Sequence, residues 1–171
     1  MSAERTTAHA FWDFSFAFYA RPGVARACLE LQESCGVDVN VLLFLLYLAR
    51  SRRLLVAADV ERIDALATPW RQAIVIPLRN VRRALKAPVG AFHPDATAAL
   101  RTEVKRIELA AERVQQETLE RLAVDEALGT PCLDPAACAR VHLQLYGDRI
   151  GALEGDPSER ILAQFAALVS Q

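Results

Sequence analysis

The chain has 171 residues, 53% of them hydrophobic and 24% charged, with a formal net charge of −1. This balance excludes the polar, highly charged compositions that stay disordered, and near-neutrality excludes a global field that would draw the protein to nucleic acid or an anionic membrane. A chain of this length buries roughly 70% of the surface its unfolded form exposes, enough for a real core. The longest apolar run, residues 41–49, is far shorter than the ~20 residues a membrane-spanning helix needs. The opening MSAERTTAHAFWDF lacks the basic start and apolar stretch of a secretory signal, so the expectation is a cytosolic protein with Cys28, Cys35, Cys132 and Cys138 as reduced thiols.

Glycine and proline are sparse and fall between helix-periodic segments, whereas strand patterns are essentially absent. A first helix is predicted from an N-cap at Thr6 or Thr7 to Tyr19. Its 11/14/18 and 12/16/19 faces are both aromatic, which predicts a helix wedged between others. A second runs from Pro22 to Cys35, with proline at its first position and Gly36 just past its end. Asp38 is placed as the N-cap of a third helix, Val39 to about Arg53, apolar all round in its middle and therefore central.

Asp59 is expected to cap a short fourth helix ending near Thr68. From Pro69 onward Trp70, Ile74, Leu78, Val81 and Leu85 form one stripe, with Arg71, Val75, Arg79, Arg82 and Lys86 beside it. Pro77 lies within this basic amphipathic helix and removes the hydrogen bond to the Ala73 carbonyl, so a kink is expected. A long helix from about Asp95 to Leu128 spaces Leu100, Val104, Ile107, Ala111, Val114, Thr118 and Leu122 in the manner of a coiled-coil seam. Gly129 closes it, and two helices follow, at about Pro135–Tyr146 and Pro157–Val169. The expected architecture is an all-α, single-domain bundle spanning residues 1–171, with about six to eight helices around a buried helix at about 39–53.

The sequence has no GxSxG, Walker-type, dinucleotide-binding or HExxH pattern, which argues against a serine hydrolase or nucleotide-binding enzyme. Cys138 and His142 are four apart on one helical face, with Cys132 and Asp134 close by. The Cys132 to Cys138 interval is not a usual zinc spacing, so buried thiols and a structural histidine are the plainer reading, and no metal or cofactor is expected. Residues 50–86 hold nine Arg or Lys against three Asp or Glu. That stripe could meet phosphate, but a solvated face partly neutralised by the acidic long helix explains the same charges. Asp38 and Asn40 could line a pocket with Trp12 and Tyr19, although helix capping accounts for both; Asp13 shares its face with small residues and suits packing or solvent as readily.

Two stretches, Phe11 to Ala49 and Pro69 to Lys86, carry the pieces FWxFS, YxxPGV, CLxLQ, DVNxLLF and PWRxxVxxPLR. In these pieces the chain resembles a proteobacterial family known as a domain of unknown function. The resemblance implies a cytosolic helical protein and supplies no activity, substrate or catalytic residue to carry over. It directs attention to the polar and aromatic positions Trp12, Asp13, Tyr19, Asp38, Asn40, Trp70, Arg71 and Arg79 as ligand-binding candidates.

Three functions follow as expectations. The first is a non-enzymatic adaptor acting through a protein partner or self-association, motivated by the seam on the long helix. The second is a binding protein or enzyme for an anionic small molecule, with a pocket between the aromatic first helix and the kinked basic helix, where Arg71 and Arg79 hold the anion. The third, less favoured, is nucleic-acid binding through the basic stripe.

Overall fold

In the computed structural model, residues 10–88, 90–126, 128–151 and 155–170 are described. The fold is all-α. Helices α1 (Ala10–Tyr19), α2 (Val24–Cys35), α3 (Val39–Arg50), α4 (Ala57–Trp70), α5 (Ile76–Ala84), α6 (Pro94–Asp125), α7 (Pro135–Ile150) and α8 (Asp156–Val169) account for most of the chain. A π-helical turn, Arg71–Val75, joins α4 to α5 without a break, so the described residues form seven helical rods. No helix is long and apolar enough to cross a membrane among the described residues.

The central helix is α3, on which Asn40 to Leu46, Leu48 and Ala49 are all buried. Asp38 caps it as expected, its Oδ1 accepting the N–H groups of Asn40 at 2.9 Å and Val41 at 3.3 Å. Helix α7 lies along α3, and α2 packs on α8. His142 of α7 is fully buried and holds two segments together. Its Nε2 accepts the Leu55 N–H at 3.0 Å and its Nδ1 donates to the Leu45 carbonyl at 2.9 Å. With both ring nitrogens committed to backbone, this histidine has no lone pair for a metal.

Several expected boundaries move. The predicted Thr6/Thr7 cap lies outside the described residues. Helix α2 begins at Val24, not Pro22, because Gly23 at φ 78° turns the chain through the left-handed region first. Helix α3 stops at Arg50, and Arg53–Leu54 (β1) then pairs antiparallel with Thr130–Pro131 (β2), a short strand pair the sequence pattern did not reveal. Gly129, at φ 66°, makes the pairing feasible: a Cβ there would stand 2.5 Å from the Leu54 carbonyl oxygen. Helix α4 starts at Ala57, so Asp59 is not the N-cap. It lies one turn in and reaches back, its Oδ2 accepting the Val56 N–H at 3.1 Å.

Neither proline breaks the fourth rod. Pro69 lies inside α4, and before Pro77 the helix widens so that the Ile76 N–H bonds five residues back to the Arg71 carbonyl. The strain expected as a kink is taken up by this π turn. The turn also rotates α5, so that Arg79 and Arg82 join Val75 in facing α6, while Val81 of the apolar stripe is 48% exposed. Helix α6 is rotated from its predicted seam as well. Val104 and Ala111 are buried, but Leu100, Ile107 and Val114 are about half exposed, and Glu108, Gln115, Gln116 and Glu120 are buried instead. The seam is therefore not the packing face.

Cys132 and Cys138 are bonded to each other, correcting the expectation of four reduced thiols. Asp134, capping α7 through the Ala136 and Ala137 N–H groups, turns the chain back over six residues and brings the two sulfurs together. Cys28 and Cys35 are free. Burial pushes the Cys28 thiol up to about 12, which makes it a packing residue rather than a nucleophile.

Candidate functional site

Only one aromatic face of α1 enters the core. Phe11, Phe14 and Phe18 are buried against Phe44, Tyr47 and Phe165. The opposite face, Trp12, Phe16 and Tyr19, is not wedged as expected but forms one wall of an open pocket of about 570 Å³. Leu29 and Leu43 extend that wall, and Leu109, Glu108, Glu112 and Gln116 of α6 stand opposite. A second pocket, about 160 Å³, adjoins it where the α3 N-terminus meets the π turn and α5, and the two share Gln32, Val39, Asn40, Arg79 and Glu112. Together they form one groove, mostly apolar at the α1 end and charged at the α5 end.

The charged end is built by the basic stripe and the acidic face of α6. Arg79 Nε donates to Glu108 Oε1 at 3.1 Å and its Nη2 to Glu112 Oε1 at 3.0 Å. Arg82 donates to both oxygens of Glu108. Arg83 reaches Glu33 at 3.3 Å. The stripe is thus largely ion-paired within the fold. Burial works to raise the Glu108 pKa, but the bonds and charges of Arg82 and Arg79 outweigh it and hold the carboxylate below its usual range. Glu112, at the junction of the pockets, goes the other way: burial, with Glu108 and Asp38 adding to it, raises its pKa despite Arg79. Tyr19 is likewise raised, chiefly by burial.

Beneath the smaller pocket Arg71 joins α3 to α4. Its Nη1 contacts Asp38 Oδ2 at 3.2 Å and Asp64 Oδ1 at 3.4 Å, and its Nη2 donates to Thr68 at 2.9 Å. Arg149 of α7 holds the other oxygen of Asp64 at 2.7 Å. The Tyr146 hydroxyl accepts the Asp38 N–H at 3.2 Å, and burial pushes that phenol far up. From Asp38 a chain of amides crosses to α6. Gln115 Nε2 donates to Asp38 Oδ2 at 2.7 Å, Asn40 Nδ2 to Gln115 Oε1 at 3.1 Å, and Gln116 Nε2 to Asn40 Oδ1 at 2.8 Å.

Six of the eight sequence candidates converge on this groove. Trp12, Tyr19, Asn40 and Arg79 line the larger pocket, and Asp38, Asn40, Arg71 and Arg79 the smaller. Asp13 is exposed and lines neither. Trp70 is a strut, its Nε1 donating to the Ala111 carbonyl at 3.0 Å, away from both pockets. Sequence reasoning missed Ser15, Glu108, Glu112, Gln115 and Gln116. The signal was present for four of them: positions 108, 112, 115 and 116 share one side of a helix, but the apolar spacing next to them drew the seam one face over. No cluster suited to a metal ion occurs among the described residues.

A family described as a protein of unknown function (DUF2390) matches residues 10–119, from the start of α1 almost to the end of α6. No curated protein and no solved structure matches the chain.

Proposed function

The chain belongs to this family of unknown function, and we propose that it is a non-enzymatic binding protein whose groove takes a small molecule with an apolar body and an anionic group. The observation that carries this reading is the make-up of the groove. Five cationic side chains (Arg71, Arg79, Arg82, Arg83 and Lys105) stand against three carboxylates (Asp38, Glu108 and Glu112) at one end of an aromatic and aliphatic trough. A preformed concavity with a few convergent polar groups is the usual form of a small-molecule site. Lys105, which makes no ion pair among the described residues, is the cation free to meet a ligand anion. The lining carboxylates are held by arginine, which suits retaining a ligand better than abstracting a proton.

Titration with octanoate and indole-3-acetate, followed by amide chemical shifts, tests this. Saturable shifts at α1 and α6 are expected, weakened by Lys105→Glu and by Trp12→Ala. If neither probe perturbs the groove at millimolar concentration, the reading fails.

A protein-binding or homodimeric adaptor is the second reading. It is favoured by the exposed apolar rim of the same groove, where Phe16 is 73% exposed and Leu29 and Leu109 are about half exposed. Light scattering at high protein concentration separates the two, because self-association through this rim would also block the small probes. Nucleic-acid binding is not supported by arginines already paired with carboxylates.

A further inference from the structure

Among the residues that line the larger pocket, Ser15 Oγ and Gln116 Oε1 lack a partner but are sealed off from solvent, whereas two other oxygens lack a partner and remain open. Glu112 Oε1 accepts from Arg79. Glu112 Oε2 makes no hydrogen bond among the described residues, and the side chain, 27% exposed, lines both pockets. The Tyr19 hydroxyl on α1 is also unbonded among the described residues. Its side chain is half-buried, lines the larger pocket and lies near enough to Glu112 for that charge to act on it. Neither oxygen is cut off from solvent.

The α6 wall carries these groups in a fixed order. Lys105, Leu109 and Glu112 fall at i, i+4 and i+7, one stripe of the helix, and all three line the larger pocket. Seven residues at roughly 1.5 Å each place Glu112 about 10 Å along the axis from Lys105. Leu109, about half exposed, lies between them, with Phe16 and Leu29 across the trough. Glu108, the other carboxylate of that stretch, has both oxygens taken by Arg79 and Arg82. The stripe therefore runs from a free cation over apolar surface to a free acceptor. An ionised carboxylate only accepts, whereas a phenol both donates and accepts, so a single group that donates to Glu112 and accepts from Tyr19 satisfies both. A hydroxyl does this. An ether has no hydrogen for Glu112, and an ammonium has no lone pair for Tyr19 and adds charge where Arg79 and Arg82 already balance Glu108 and Glu112.

We infer that the ligand of this groove is an apolar acid with a hydroxyl at its far end, about 10 Å from its anionic group, the hydroxyl donating to Glu112 Oε2 and accepting from Tyr19 while the anion meets Lys105. The inference rests on the small-molecule reading above and narrows it from apolar acids in general to those hydroxylated far from the acid.

The test compares acids of one chain length by titration: 10-hydroxydecanoate, its isomer 2-hydroxydecanoate, 10-methoxydecanoate and 10-aminodecanoate. The first is expected to bind tenfold or more tightly than the other three, since a site built around a hydrogen bond rejects an analogue that cannot make it. Tyr19→Phe, which removes one oxygen and keeps the ring, should cut that preference about threefold or more. Glu112→Met should abolish it while leaving the affinity of the methoxy acid unchanged. Should Glu112→Met not fold, a structure of the wild-type protein with 10-hydroxydecanoate replaces it, with the ligand hydroxyl expected about 3 Å from Glu112 Oε2 and from the Tyr19 hydroxyl. Equal binding of the hydroxy and methoxy acids, or of the two hydroxy isomers, overturns the distal hydroxyl and leaves the small-molecule reading standing. An amino acid that binds as tightly as the hydroxy acid overturns the choice of hydroxyl. A preference that survives in both variants, or a ligand hydroxyl seated elsewhere, overturns the assignment to Glu112 and Tyr19. If none of the four acids perturbs the groove, the small-molecule reading falls and takes this inference with it.

Discussion

Arg71 and Asp38 meet at 3.2 Å across the junction of the π turn and the N-terminus of α3, with 4% of the Asp38 side chain exposed. The same guanidinium also holds Asp64 and Thr68, so three elements depend on one side chain. Burial alone would lower the Arg71 pKa, but Asp38, Tyr146 and Asp64 raise it above its ordinary value. Arg71→Met would leave Asp38 without its countercharge in a desolvated setting, a change that typically costs about 3–5 kcal/mol. Urea denaturation should register that loss, and Arg71→Lys should recover only part of it, because an ammonium lacks the planar fork. A loss under about 1 kcal/mol would place these pairs with ordinary surface ion pairs.

His142 predicts a pH dependence. Burial, partly opposed by the Leu45 carbonyl, holds its pKa below the ordinary histidine value. The unfolded chain therefore takes up a proton near pH ~6.5, where the folded one does not. Stability from this residue is fully present above that pH and is lost as pH falls through the window below it. His142→Gln should lose about 2–4 kcal/mol at pH 8 through the Leu55 and Leu45 groups left unpartnered. The gap between variant and wild type should then narrow toward pH 5. Glu112, with its raised pKa, acts with the opposite sign in both proteins and cancels from the difference. A gap constant from pH 5 to pH 8 would refute the assignment.

The fold was legible wherever one physical factor dominated. Residues 41–46 are apolar on every side and had to be central, and Asp38 before an apolar run had to be a cap. The aromatic residues on both faces of α1 pointed instead to burial between helices, whereas Trp12, Phe16 and Tyr19 line an open pocket, and the kink at Pro77 from which a pocket was expected is replaced by a π turn. Two things were hidden. Whether a proline breaks a helix or is absorbed by a π turn depends on what the rotated side chains meet, here Glu108 and Glu112. Likewise, the apolar spacing of α6 outscored its polar neighbours only because their partners, Asp38, Asn40, Arg79 and Arg82, lie far away in sequence. Local periodicity cannot register a polar face that is satisfied at long range.

The pairing of the basic stripe sets its behaviour toward polyanions. With Arg79 and Arg82 both bound to Glu108, the wild-type protein should be weakly retained on heparin at low ionic strength. Glu108→Gln removes the charge that two arginines share, and adding Glu112→Gln removes the remaining acidic partner of Arg79. Retention should rise stepwise through the two variants, and each step should weaken steeply with salt. Strong retention of the wild type, or no rise on Glu108→Gln, would show that the stripe's net field is not set by these pairs.

The relay from Asp38 to Gln116 makes a directional prediction. Gln116→Glu replaces the donating Nε2 with a second oxygen, 2.8 Å from Asn40 Oδ1, where two acceptors now face each other. Turning the Asn40 amide over would only move the conflict to Gln115 Oε1, and turning Gln115 would move it to the carboxylate of Asp38. No arrangement of the three amides resolves it while the new carboxyl is ionised. A loss of about 2–4 kcal/mol is expected at pH 8, the magnitude of an uncompensated buried acceptor or two. Protonation lets the new group donate to Asn40, so its folded pKa lies above the unfolded one and the loss should be smaller at pH 5. Denaturation midpoints at the two pH values check this. A variant as stable as the wild type at both would mean that the amides run in the opposite sense.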